Sequence, residues 1–305
     1  MLRARRAARR WACDVRPKAR GAATGPFARG DARVKRWSRR GYTEGPYGQI
    51  HYRHEGAVTQ IRGAIVLLHQ APMTSAQYDN VLRPLAAQGF HAIAIDMPGF
   101  GMSDPVPGVP RVEDWAAVVP SVLDALGYPD AVVLGHHTGA MVATEVGIQF
   151  PDRVRAVILN GPMPVSEQER TEFMEGLHQT ERTITATDDG TQFNMVHAAR
   201  TGLAKGTVTL ARISEYVVQA FEGQGAYWHG HHAAFQYRHD EKLRRLERPA
   251  LILTNTGDVI YEHALAAHAI RPDFAFAALE GGGVDVVDQM PEDWVEAVTR
   301  YVSGL

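Results

Sequence analysis

The feature that most constrains this chain is a pair of glycines flanking three residues between an apolar run and a helical pattern. Ala131–Gly135 reads AVVLG, and Gly135-His136-His137-Thr138-Gly139 leads into a helix running to Phe150. A strand that turns this sharply into a helix has no room for a Cβ at either glycine, because a side chain there would collide with neighbouring backbone. The middle residue, His137, is thus projected at the top of the sheet in a strained conformation. Its backbone lies at a helix N-terminus, where N–H groups and the dipole favour negative charge.

Further apolar runs have the continuous character of strands buried on both faces: AIVLLH at Ala64–His69, HAIAID at His91–Asp96 and RAVILN at Arg155–Asn160. A short strand is expected at Gln49–His54, after the turn residues Gly45-Pro46. Helices are expected over Ser75–Gln88 and over Val112–Leu126, the latter kinked at Pro120. This alternation predicts an α/β, mostly parallel, doubly wound sheet. It stops after Pro162. Residues 164–246 read as helical, opening with a capping box at Ser166 and Glu169. Strands resume at Ala250–Thr254 and Phe274–Leu279, and a helix over Pro291–Val302 ends the chain. The expected division is a core of residues 41–163 and 247–305 with a helical cap of residues 164–246 over the C-terminal edge of the sheet.

Several segments recur in one order: His69-Gln70-Ala71-Pro72, Asp96-Met97-Pro98-Gly99-Phe100-Gly101-Met102-Ser103-Asp104, the Gly135–Gly139 turn, Thr256-Gly257-Asp258, and Gly281-Gly282-Gly283-Val284-Asp285 before Gln289-Met290-Pro291. In these the chain resembles the α/β-hydrolase superfamily, of the capped kind that includes meta-cleavage-product hydrolases, haloalkane dehalogenases and small esterases. The resemblance implies an α/β-hydrolase fold with an inserted helical cap. It also implies a nucleophile at the glycine-framed turn, an acid at Asp258, a histidine in the last loop, and an oxyanion hole from the backbone N–H groups of Ala71 and Thr138.

The chain departs from that pattern at two of three catalytic positions. His137 stands where the family has Ser, Asp or Cys, and Val284 stands where it has the catalytic histidine. The family's His-Gly is His69-Gln70 here. The only histidines beyond Asp258 are His263 and His268, on the helix after that strand. A serine triad needs a hydroxyl, an imidazole and a carboxylate, so serine esterase chemistry is not expected.

Geometry suggests a replacement. In a triad the acid oxygen lies about 7 Å from the nucleophile. An imidazole on the turn residue covers about half that span, and one hydrogen bond of about 2.8 Å covers most of the rest. His137 is therefore expected to bond Asp258 directly, with Val284 leaving the space a second ring would fill. Asp258 would set the tautomer, and the other ring nitrogen would act as a general base. His69 and His136 are assigned to support.

The predicted cap holds Tyr227-Trp228-His229-Gly230-His231-His232. Zinc ligands need tetrahedral convergence and usually wider spacing, so no metal and no other cofactor is expected. The predicted substrate pocket is Gln70, Trp228, His231, His232 and Val284. The resulting reading is an enzyme acting on a small apolar carbonyl compound or ester by His-Asp general-base chemistry, of hydrolase or lyase type. Two rivals are a catalytically inactive small-ligand binder that keeps the pocket, and a histidine nucleophile that forms an acyl-imidazole.

Charge limits the partners. Residues 1–40 carry 14 Lys/Arg against Asp14 and Asp31, while the rest of the chain has 18 basic and 32 acidic residues. An acidic body argues against nucleic acid. No apolar run is long enough to span a membrane, and the single cysteine, Cys13, fits a reducing, cytoplasmic setting. The expected partner is a small-molecule substrate, with homo-oligomerisation left open. The basic tail lacks the apolar content to fold alone and is read as a disordered extension rather than a targeting or anion-binding arm. Deleting residues 1–33 is expected to leave the melting temperature nearly unchanged. A thermal melt that drops by several degrees would show that the arm packs on the body.

Overall fold

The computed structural model describes residues 38–57 and 61–305. The tail expected at residues 1–40 lies outside the described residues as far as position 37. Its end needs correction: Arg39 and Arg40 open strand β1 (Arg39–Gly45), which pairs antiparallel with β2 (Gly48–Glu55). RRGYTEG has no apolar run and lies half-exposed at the sheet edge, so hydropathy alone does not reveal it.

The remaining strands are β3 (Gly63–Leu68), β4 (Phe90–Ile95), β5 (Ala131–His136), β6 (Val154–Asn160), β7 (Ala250–Asn255) and β8 (Ala275–Leu279). They form one eight-stranded sheet in the order β1-β2-β4-β3-β5-β6-β7-β8. All pairings from β4 to β8 are parallel, and β2 meets β4 antiparallel. The continuous apolar runs are explained by two cores, one on each face. Along β3, Ala64, Val66 and Leu68 enter one core, and Ile65 and Leu67 enter the other. Period-two alternation thus places consecutive apolar residues on opposite, equally dry faces.

Helices α1 (Leu82–Ala87), α2 (Val112–Ala116), α3 (Val119–Ala125) and α4 (Thr138–Gln149) lie between the strands of the first half. Two single helices expected from the sequence are each broken. A 3-10 turn at Ser75–Tyr78 precedes α1, and a break separates α2 from α3. In both cases a proline is the reason. Pro84 and Pro120 are tolerated only in the first turn of a helix, where their missing N–H has no intrahelical role, so a new helix starts just before each.

Between β6 and β7 the chain inserts α5 (Glu167–Gln179), α6 (Thr191–Ala204), α7 (Leu210–Glu222), α8 (His229–Gln236) and α9 (His239–Arg245). The Ser166–Glu169 capping box opens α5. Next come α10 (Tyr261–Ile270) after β7 and, after β8, α11 (Val286–Gln289) and α12 (Pro291–Ser303). Among the described residues no helix is long and apolar enough to cross a membrane.

The turn from β5 into α4 is set by backbone crowding. A Cβ on Gly135 would lie inside the carbonyl of Gly139, and one on Gly139 would lie inside the carbonyl of Leu68 at the end of β3. Backbone cannot yield as a flexible side chain would. Gly139→Ala is expected to cost about 3 kcal/mol or more in urea unfolding. Gly176→Ala, in the middle of α5 with open space around it, is expected to gain about 0.5–1 kcal/mol. Equal effects at the two sites would refute the crowding argument.

Candidate active site

His137 sits between β5 and α4 with φ 49° and ψ −109°, a backbone conformation that costs a β-substituted residue strain. It is held there by its neighbours. Its N–H donates to the Asn160 carbonyl at 2.8 Å, and its own carbonyl accepts from Ala140 N–H at 2.8 Å. This conformation projects the imidazole across the C-terminal ends of β5, β6 and β7.

There it meets Asp258, two residues beyond the Thr256 that follows β7. His137 Nε2 lies 2.8 Å from Asp258 Oδ2. The carboxylate side chain is fully buried, and 16% of the imidazole side chain remains exposed. Burial pushes the Asp258 carboxyl up. The charge and hydrogen bond of His137, the nearby His136 and the Ile260 N–H to Oδ1 (3.2 Å) outweigh it and hold the group at about 2. Asp258 is therefore an ionised acceptor. It takes the proton of His137 Nε2–H and leaves the lone pair on Nδ1.

Gly161, just past β6 with φ 63°, makes this meeting possible. A Cβ there would lie 2.6 Å from His137 Cδ2, 2.9 Å from its Nε2 and 3.4 Å from Asp258 Oδ2. The sequence reading passed over this residue. Its signal was a glycine at the C-terminal end of a buried strand next to the turn.

The loop of Asp258 is laced to the last loop of the core. Thr256 N–H donates to the Leu279 carbonyl, Gly257 N–H to the Gly281 carbonyl, and Asn255 Nδ2 to the carbonyls of Gly281 and Gly283. Val284 follows, 5% exposed. The next residue, Asp285, forms a buried ion pair with Arg200 of α6. Sequence reasoning also missed Arg200, since the pair joins positions far apart in the chain.

The N–H groups of Ala71 and Thr138 make no backbone hydrogen bond among the described residues. Thr138 is the first residue of α4, where N–H groups have no intrahelical partner. Ala71 is covered by α8, because Gly230 abuts it so closely that a Cβ would overlap the Ala71 methyl. Gln70 is buried, and its N–H donates to Gln77 Oε1 at 3.0 Å. His69 is a supporting residue. Its Nε2 accepts from Met97 N–H at 3.1 Å, so its Nδ1–H donates to the Gln70 carbonyl at 3.0 Å.

The aromatic and imidazole run before and along α8 is distributed differently. Gly230, Ala233 and Ala234 form the inward face. His232 lies about half a turn from Gly230, against Trp228 at 5.0 Å between ring centroids, and Arg182 stacks over Trp228 at 4.0 Å. His231 lies on the flank, 2.5 Å from Glu181, whose carboxylate raises the imidazole pKa against the effect of burial. No described hydrogen bond or ring contact joins these three residues to His137. A cavity of about 210 Å³ lies instead between the loop after β4 and the segment leading into α8, lined by Pro98, Phe100, Pro105, Val106, Ala226 and His229 among others. Phe100 separates it from the turn, packing on His69 at 5.2 Å and against the Gly230 face.

One further cluster stands out. His136, His137 and Asp258 each bring one potential ligand atom within 4.8 Å of the others. His136 is fully buried, which lowers its pKa well below the usual imidazole range. Its ring centroid lies 4.4 Å from that of His137.

Known proteins share this architecture. A haloalkane dehalogenase of Mycolicibacterium paratuberculosis is 31% identical over 126 residues, 39% of this chain and 40% of that protein. A 2-hydroxy-6-oxononadienedioate/2-hydroxy-6-oxononatrienedioate hydrolase of Paraburkholderia phymatum is 29% identical over 145 residues, 43% of this chain and 48% of that protein. The matched stretches thus span less than half the length of these relatives. Among solved structures, E-2-(acetamidomethylene)succinate hydrolase superposes with a TM-score of 0.71 at 18% identity, over 87% of this chain and 99% of that one. A bromoperoxidase from Bacillus anthracis gives 0.72 at 16% identity, over 87% and 100%. These two likenesses are of fold alone. The family profile of the alpha/beta hydrolase fold matches residues 63–258, and with the sheet order, the glycine-framed turn and the inserted helices already described, it places this chain in the alpha/beta hydrolase family.

Proposed function

We propose that the chain is an alpha/beta hydrolase-fold enzyme in which His137, held by Asp258, works as a general base on a small apolar carbonyl compound or ester without a serine nucleophile. The observation that carries this reading is the 2.8 Å contact from His137 Nε2 to Asp258 Oδ2 at the strained turn. With its Nε2 proton committed to Asp258, the ring offers the Nδ1 lone pair to water or to a substrate proton. The imidazolium that forms then lies beside a buried carboxylate that stabilises it. The Ala71 and Thr138 N–H groups would hold the developing oxyanion, at the N-terminus of α4. The relatives named as a haloalkane dehalogenase and an oxononadienedioate hydrolase support a small organic substrate.

Once a turnover assay is found among small esters, lactones and β-dicarbonyl compounds, the pair can be tested as a unit. His137→Ala and Asp258→Asn are each expected to lower kcat/KM by about 10²–10⁴-fold, and the double variant to be scarcely worse than either single one. Gly161→Ala is expected to lose a similar factor, because its methyl displaces the ring from Asp258. Additive losses, or full activity in Gly161→Ala, would rule out the dyad, and no turnover across the panel would favour a binder. A separate check is chemical. Fluorophosphonate probes should leave the protein unlabelled, as no activated serine stands at the turn; stoichiometric labelling of a pocket serine would overturn the proposal.

A further inference from the structure

The position of one proton beside the dyad can be traced from a backbone amide. Gln70 N–H donates to Gln77 Oε1 at 3.0 Å, and a backbone N–H cannot accept, so the orientation of the Gln77 amide is fixed. The other end of that amide, Nε2, faces His136 Nδ1 at 2.7 Å. An NH₂ group only donates. His136 Nδ1 therefore holds the lone pair, and the proton of this neutral ring lies on Nε2. With Nδ1 taken by Gln77, Nε2 is the nitrogen left over; it is buried and has no partner among the described residues, and one ring nitrogen of His136 lies within 4.8 Å of a ring nitrogen of His137 and an oxygen of Asp258. An unpaired buried donor forfeits its hydration with no return.

The spacing of His136, His137 and Asp258 resembles a two-histidine, one-carboxylate metal site. The proton argues against that use. A metal-ligating imidazole offers a lone pair to the ion and donates its other N–H to an acceptor, and His136 is arranged the opposite way round. A buried donor this close to a carboxylate suits a group that both accepts and donates. The Asp258 charge disfavours an anion there, and the His136 N–H disfavours a cation. A neutral hydroxyl compound satisfies both, and the buried setting limits it to the smallest one.

We propose that Gln77 locks His136 as a neutral Nε2–H donor, and that this N–H and Asp258 together bind one internal water molecule, which shares the Asp258 charge with His137. His136 and Gln77 are thus positioning residues that act on His137 through Asp258. The Arg200–Asp285 pair completes the charged surroundings: Arg200 acts on His136, and His137 acts on Asp285. The consequence for catalysis rests on the reading of His137 as a base, whereas the tautomer and the water do not.

The experiment is imidazole nitrogen NMR on the full chain, with signals assigned by substitution, and with Co²⁺ as the metal probe. His136 in the wild type is expected to remain the neutral Nε2–H tautomer from about pH 5 to pH 9, with no cobalt absorption band. Gln77→Glu should move the His136 proton to Nδ1. His136→Leu should raise the Asp258 carboxyl from its depressed value, read by carboxyl-carbon NMR, since Asp258 then has one donor fewer. His136→Gln, which returns an N–H at the Nε2 position, should restore it. Stoichiometric cobalt binding with loss of the His136 Nε2 proton would overturn the proposal in favour of a metal site. An Asp258 titration identical in the Leu and Gln variants would reduce His136 to packing. If His136→Leu fails to fold, an Nδ1–H tautomer in the wild type, or an unmoved proton in Gln77→Glu, would be equally fatal. None of these readouts needs turnover, so a protein without activity would sink the general-base reading and leave this test intact.

Discussion

The rest of the site depends on the crowding of three backbone segments: the end of β3 at Leu68, the end of β5 at Gly135, and the first turn of α4 at Gly139. Their close approach is affordable only without Cβ atoms, and it forces His137 to a positive φ. Holding a residue there costs about 1–3 kcal/mol. The strain persists because hydrogen bonds to Asn160 and Ala140 and two dry cores over-determine the turn. The result is a titratable ring projected across the ends of β5, β6 and β7, next to a helix N-terminus.

The ring finds a partner because one position is small. Gly161 removes a side chain from the path between His137 and Asp258. Val284, where the family resemblance calls for a second imidazole, is a buried aliphatic residue that cannot hydrogen-bond. In this chain the acid that would orient a histidine in the last loop bonds the histidine at the turn directly. Because the Asp258 carboxyl is held at about 2, below its ordinary value, its contribution to stability is fully present above about pH 4 and lost as the pH falls through about 2.

Charge pairing also ties the inserted helices to the core. Arg200 of α6 pairs with Asp285, one residue past Val284. Arg212 of α7 donates to Asp288 of α11 at 2.9 Å, and Tyr216 of the same helix donates to Asp288 at 2.5 Å. Burial raises the Asp285 pKa, and Arg200 opposes that shift. Buried pairs of this kind add little net stability, but removing one partner is costly because the other charge is left bare. The last loop of the core and the helices beside the site are therefore mechanically coupled.

What the sequence determined is local or periodic. Apolar runs such as AIVLLH fixed the buried strands, because a strand dry on both faces must be apolar throughout. The glycine pair fixed the turn at His137, because only glycine fits it. The helices broken at Pro84 and Pro120 were misjudged in extent, although the signal was present. Strand β1 was lost because a polar edge strand, RRGYTEG, carries no hydrophobic period. The tertiary structure alone decided which side chains meet. Gly161 against the His137 ring, Gln77 on His136 and Arg200 on Asp285 join positions 24 to 85 residues apart in the numbering. Trp228 and His232 pack on each other, and no described hydrogen bond or ring contact joins them to His137. Sequence proximity encodes backbone conformation, whereas a hydrogen bond depends on how separate segments pack, and that packing is settled only when the whole core closes.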